Sequence, residues 1–170
     1  MSRLTIRPAT EDDLEAILAI HNDAVLNTTA TFDIEPRTME AQRQWFRETQ
    51  RPYVVLVAER SGEVVGWGSL RPFAARPAYR FTAENSVYVR SDARGGGIGT
   101  RVLKELLRAA KDAGFHSVIA RVTAENPASV RLHRRLGFRT VGIEREVGYK
   151  SGRWLDVAVM QRMVGDDAPG

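Results

Sequence analysis

The chain lacks cysteine altogether, which excludes disulfide scaffolds, thiolate metal sites, iron–sulfur clusters and thiol nucleophiles in one step. That absence fits a reducing compartment, and a cytoplasmic location is expected. No apolar run approaches the roughly 20 residues of a membrane-spanning helix, and no membrane partner is expected. The opening MSRLTIRPATEDD has no apolar segment of the kind that directs secretion. Repeats, low-complexity runs and interdomain linkers are also missing. What is present, 43% hydrophobic residues and 14 glycines in 170 residues, is the composition of an ordinary globular domain. A chain of this length buries roughly 70% of the surface it exposes on unfolding, so it needs no metal staple, and no metal is expected. Residues 1–165 read as one domain and residues 166–170 as a loose tail.

The net charge of +4 is unevenly placed. Residues 1–50 hold five arginines against nine carboxylates, while residues 51–170 hold twenty basic against twelve acidic residues. The second stretch therefore favours an anion: nucleic acid, a phosphorylated cofactor, or nothing specific if the charges only face water. Arg131, Arg134, Arg135 and Arg139 have no acidic residue among them between Asn126 and Ile143.

Hydrophobic spacing predicts alternating strands and helices. Leu4 to Arg7 reads as a strand, and Thr10 with Asp13 as a capping box opening a helix with the stripe Leu14, Ile17, Leu18 and Val25. Thr38 caps a second helix carrying Met39, Trp45 and Phe46. Tyr53 to Glu59 and Val64 to Leu70 form a hairpin about Ser61-Gly62, and Asn85 to Val89 is a further strand. The apolar positions Ile98, Val102, Leu103, Leu106, Leu107 and Ala110 mark a helix that Gly114 ends. Ser117 to Val122 is a buried strand, followed by a short helix with Asn126 at its N-cap, Pro127 at its first position and Gly137 at its close. Strands around Thr140 to Ile143 and Leu155 to Met163, flanking Lys150-Ser151-Gly152, complete a mixed α/β chain.

The run Val87-Tyr88-Val89-Arg90-Ser91-Asp92-Ala93-Arg94-Gly95-Gly96-Gly97-Ile98-Gly99-Thr100 passes from strand through a glycine cluster into the long helix. Such a junction binds anions: the first-turn amides lack partners within the helix, the macrodipole is positive there, and glycines let a phosphate approach. The dinucleotide fingerprint fails because neither Thr100 nor Val102 is glycine, and the phosphate loop of nucleotide hydrolases fails because no Lys-Ser/Thr follows. A flexible loop with a glycine cap is the plainer alternative.

Arg94-Gly95-Gly96-Gly97-Ile98-Gly99 resembles the R/Q-x-x-G-x-G/A pyrophosphate loop of the GNAT acyl-CoA-dependent N-acetyltransferases, and Asn126 to Ser129 through Leu136-Gly137-Phe138 resembles their second conserved block. Thr31-Phe32, Pro36-Arg37-Thr38, Glu84 to Val89 and Gly152-Arg153-Trp154-Leu155-Asp156 extend the resemblance to the phosphinothricin and methionine sulfone/sulfoximine N-acetyltransferase group, from about Leu4 to Met163. The resemblance implies a mostly antiparallel sheet splayed at the cofactor strand, flanked by helices. It implies acetyl-CoA as cosubstrate, held by Val87, Tyr88, Val89, Arg94, Gly95, Gly96, Gly97, Ile98, Gly99, Thr100, Asn126, Ser129 and Arg135. Homodimers are common in the family, and a homodimer is expected here.

Acetyl transfer by direct attack needs a neutral amine, and free amines are largely protonated near neutrality, so a base is required. Glu84 matches the group's catalytic glutamate and shares a strand side with Ser86 and Tyr88 by alternation; the alternative is a water-facing strand glutamate. The backbone N–H near Val89 is the candidate for the oxyanion of the tetrahedral intermediate. His133 stands where many relatives place a tyrosine that protonates the leaving thiolate; a solvated imidazole among arginines is the alternative. His21 reads as a packed histidine on its helix's apolar stripe, and His116 has no identifiable partner. For a small amino-acid-like acceptor, Phe32, Arg71, Phe73, Tyr79, Arg80 and Glu84 are the expected binding residues, an arginine taking the carboxylate and aromatics forming a wall. Rival readings are acetylation of protein N-termini or lysines, a basic nucleic-acid-binding module, and a cofactor sensor without turnover. Coenzyme A's phosphates account for the basic cluster, so no nucleic-acid partner is expected.

Overall fold

The computed structural model describes residues 3–165; the expected tail at 166–170 lies outside them. Eleven strands and helices are built in chain order: β1 (Leu4–Pro8), α1 (Leu14–Asn27), α2 (Met39–Glu48), β2 (Val54–Arg60), β3 (Glu63–Pro72), β4 (Thr82–Val89), α3 (Ile98–Asp112), β5 (Ser117–Thr123), α4 (Pro127–Arg135), β6 (Arg139–Lys150) and β7 (Arg153–Met163). The seven strands form one sheet in the order β1-β2-β3-β4-β5-β7-β6. Every pairing is antiparallel except β4 with β5.

The local signals act as their chemistry requires. Ser61 and Gly62 both adopt positive φ, the conformation that a two-residue turn needs to match the twist of β2 and β3. The Thr10 N–H donates to Asp13 Oδ2 at 2.8 Å, and Arg7 grips the same carboxylate at 2.8 and 2.9 Å. That turn, Glu11–Asp13, is a 3-10 turn, so α1 begins at Leu14. Gly114 at φ +81 closes α3 with its own N–H on Lys111 O and the Phe115 N–H on Ala110 O, both 3.0 Å.

Two apolar layers hold the sheet. On one face α3 lays Ile98, Val102, Leu103, Leu106 and Ala110 against Leu70, Ala83, Val118 and Met160, all buried. On the other, α1 places Leu14, Ile17 and Ile20 on Val55, Val57 and Trp67, with Trp45 and Phe46 of α2 at the margin. β6 is much longer than the four residues expected. Its pairing with β7 shifts register at Thr140/Gly142 and Glu144/Gly148, Glu146 takes φ +49, and residues 139–147 are all exposed. Bulges on an edge strand remove the alternation by which a strand is recognised in sequence.

Candidate active site

β4 and β5 pair over only three residues each, Thr82 to Glu84 with Ser117 to Ile119. Beyond that point β4 stays on β3 as far as Val89, while β5 follows β7 as far as Thr123. The strands therefore part at Glu84 and leave a wedge. The bond from the Arg90 N–H to Val65 O at 2.9 Å sets the hydrogen-bonding phase: Glu84, Ser86 and Tyr88 are bonded to β3, while Asn85, Val87 and Val89 turn their main-chain groups to the open side. A cleft of about 980 Å³ runs along this edge, walled by β4, the α3 start, α4 and the end of α1.

The glycine-rich turn lies at the outer end of the cleft. Gly95 and Gly97 take φ +82 and +74, and nothing stands within 4 Å of where a Cβ would be on either. Gly97 is the N-cap of α3, so the first-turn amides face open space at the positive end of a 15-residue helix. Gly99 serves packing instead: a Cβ there would meet Leu132, Val89 and Val87 at 3.4–3.8 Å. Of the thirteen residues expected to hold the cofactor, all but Gly96 line the cleft. Asn126 Oδ1 accepts from the Ser129 N–H at 3.1 Å, capping α4 and presenting its first turn to the same space. The residues thus fit a long ligand with a pyrophosphate at one end.

Glu84 stands where β4 and β5 part, outside the residues that line the cleft. Its side chain is 29% exposed and lies 3.7 Å from Arg121 Nη1. Burial pushes its carboxyl above the ordinary value, Arg121 pulls it back and Glu144 adds to the rise. Directly across the strand pair stands Arg71, half-buried over the Trp45 ring at 5.7 Å, with no hydrogen bond or ion pair among the described residues. Burial and Arg37 lower the Arg71 pKa, opposed by Glu48. Phe73 meets Tyr79 edge-on at 5.3 Å, and the Arg121 guanidinium sits over Phe73 at 5.6 Å. The structure thus gathers Arg71, Phe73, Tyr79 and Glu84. Arg80 departs from them: it is exposed, stacks on Phe81 at 4.5 Å and donates to Pro77 O. Phe32 lies over Gly148 on β6.

Sequence reading missed Arg121, although it is the one charged residue in a strand otherwise buried throughout. It also missed a polar knot under the loop 28–37. His21, packed as expected, sits edge-on to Tyr88 at 5.7 Å and donates from Nε2 to Asp33 at 2.9 Å. Lys150 donates to Thr31 O at 2.7 Å, and the Thr123 hydroxyl to Thr29 O at 2.6 Å. These partners are far apart in sequence, so no spacing announces them.

The surroundings of two expected catalytic groups, Val89 and His133, bear on their roles. Val89 lies five residues from Glu84, roughly 17 Å along the strand, and the Val87 amide, open to the same side, lies three residues or roughly 10 Å from it. His133 is not solvated among arginines but 3% exposed. Its Nδ1 donates to Ser129 O at 2.8 Å, which leaves Nε2 unprotonated to accept from Asn85 Nδ2 at 3.0 Å, with the ring edge-on to Phe138. Burial lowers its pKa against the Ser129 bond. Both ring nitrogens are thus engaged within the protein, and the ring ties β4 to α4. His133→Phe is expected to cost about 1–3 kcal/mol of stability through the orphaned Asn85 amide, read by chemical denaturation, while turnover stays within about tenfold of wild type. A thousandfold loss of turnover would point to the acid role instead.

The acetyltransferase (GNAT) domain model matches residues 3–139. The chain is 44% identical over 159 residues to the L-methionine sulfoximine/L-methionine sulfone acetyltransferase of Pseudomonas aeruginosa, covering 92% of each. Among solved structures it resembles the phosphinothricin acetyltransferase of Sinorhizobium meliloti in complex with acetyl-CoA (TM-score 0.92, 38% identity, 95% of this chain and 89% of that one). It also resembles the ribosomal-protein-alanine N-acetyltransferase of Brucella melitensis (TM-score 0.92, 48% identity, 94% and 99%). A sheet that parts beside a glycine-capped helix end, together with these matches, places the chain in the GNAT acetyltransferase family.

Proposed function

We propose that the protein transfers the acetyl group of acetyl-CoA to the primary amine of a small amino-acid-like acceptor of the methionine sulfoximine, methionine sulfone or phosphinothricin type. The observation that carries this reading is the wedge at Glu84. It sets an anion-binding helix end at the outer end of an open strand edge, and a half-buried carboxylate beside an unpaired arginine at the inner end. The thioester supplies an activated acetyl group. Glu84 removes the proton that keeps the amine unreactive, directly or through a water. The Val87 N–H, fixed in the sheet, is aimed where a developing oxyanion needs a donor. Arg71 takes the acceptor carboxylate, and the thiolate takes its proton from solvent.

The loop 28–37, tied down by Thr123, Lys150 and the His21–Asp33 pair, covers the acceptor side and favours a compact acceptor over an extended peptide. The Brucella relative's name motivates the peptide reading. Arg131 and Arg135 line the cleft, where coenzyme A's phosphates, rather than nucleic acid, use them. No helix of the described residues is long and apolar enough to cross a membrane, and the reading includes a cytoplasmic enzyme. Exposed Val141, Ile143, Val147, Tyr149 and Trp154 on β6 and β7 favour a homodimer contact there. Thiol release from acetyl-CoA, measured with methionine sulfone, methionine sulfoximine, phosphinothricin and an N-terminal alanine peptide, tests the proposal: release is expected with the amino acids, and release with the peptide alone would overturn it.

A further inference from the structure

Three side chains form a charged row on the sheet face that bears Glu84. Arg71 of β3 is its cross-strand partner. On the other side Ile119 of β5 is in register with Glu84, so Arg121, two residues on, projects from the same face. The row reads guanidinium, carboxylate, guanidinium. The Arg71 guanidinium makes no hydrogen bond or ion pair among the described residues, where Glu48 is its only anionic influence, and Arg121, 44% exposed, meets Glu84 only at 3.7 Å, longer than a hydrogen bond. The Arg121 guanidinium also sits over the Phe73 ring at 5.6 Å, and Phe73 meets Tyr79 edge-on at 5.3 Å, so the cation is placed beside Glu84 and the aromatic pair with much of its side chain open to solvent. One carboxylate therefore stands between two guanidiniums that still have donors to offer.

A ligand complementary to that row carries anion, amine, anion. An α-amino acid provides the first two, its carboxylate for Arg71 and its amine for Glu84; the third must come from its side chain. Neighbouring strands are about 4.8 Å apart, so β3 and β5 are separated by roughly 10 Å, a span that two arginine arms close around a molecule of glutamate length. Resting on the acceptor reading above, we propose that Arg121 determines specificity, and that the preferred acceptor is an amino acid with a second anionic group on its side chain, a phosphinate or carboxylate, rather than a neutral polar one.

Phosphinothricin and methionine sulfone test this as a matched pair. Both end in a methyl-bearing tetrahedral centre with two oxygens on the same two-carbon arm, but the phosphinate is charged and the sulfone is not. The readout is the ratio of their kcat/KM values, which cancels any effect of Arg121 on Glu84 common to both acceptors. Wild type is expected to favour phosphinothricin by about tenfold or more, a charge-assisted pair being worth at least that. Arg121→Gln should bring the ratio near one, chiefly through the KM of phosphinothricin, and Arg121→Lys should restore part of it. Arg71→Gln should depress both acceptors alike. A wild-type ratio near one, or a ratio unmoved by Arg121→Gln, overturns the inference while leaving the acceptor class standing. No turnover with either compound overturns the acceptor class, and the role of Arg121 with it.

Discussion

Glu84→Gln is expected to lower turnover by about 10²- to 10⁴-fold, the usual worth of a positioned general base, with acetyl-CoA affinity unchanged. The amide keeps the volume and one acceptor oxygen but cannot take a proton from the amine. Affinity should hold because the groups proposed to grip the cofactor, at the α3 start and along Val87 and Val89, line the cleft, and Glu84 does not. The pH dependence carries a second mark. The base works only when ionised, and burial raises the carboxyl above its ordinary value, so the acidic limb of kcat/KM should lie above the usual carboxylate range. Removing Arg121, which stabilises the ionised form, should push that limb higher still. Steady-state rates from pH 5 to 9 on Glu84→Gln, Arg121→Gln and wild type check both points. Wild-type turnover in the glutamine variant would remove Glu84 as the base.

The parts of this site legible in sequence are those set by local backbone chemistry. Gly95, Gly97, Asn126 and Pro127 act within a few residues of themselves, through positive φ, capping or a missing N–H, so their spacing marks the two helix starts beside the cleft, while an acyl-CoA ligand there is implied only by the family resemblance. The alternation that puts Glu84, Ser86 and Tyr88 on one side of β4 is equally local. What could not be read depends on distant pairing. His133 looks solvated beside Arg131, Arg134 and Arg135, yet Asn85, 48 positions away, accounts for its buried nitrogen. Arg121 gains meaning only when β5 comes alongside β4. The choice between the Val89 and Val87 amides as oxyanion donor turns on the same pairing, since the place where β4 and β5 part measures distance along the strand. The long edge strand β6 escaped because bulges and full exposure erase its period.

Gly97→Val is expected to weaken acetyl-CoA binding by a hundredfold or more, and the argument must separate two effects of one substitution. At φ +74 any side chain is strained, by about 1–2 kcal/mol for an L-residue and more for a branched one. That strain alone lowers stability without touching a ligand. The open space around the Gly97 Cβ position is where the phosphates must come close to the α3 amides, and an isopropyl group there denies them two or three hydrogen bonds to charge, each worth about 1.5–3 kcal/mol. Gly114 provides the control. It sits at φ +81, has nothing within 4 Å of its Cβ position, and lies at the far end of the same helix. Gly114→Val should therefore lose comparable stability by thermal denaturation yet bind acetyl-CoA normally by calorimetry, whereas Gly97→Val should lose both. If the two variants bind the thioester equally well, the helix end does not hold the pyrophosphate.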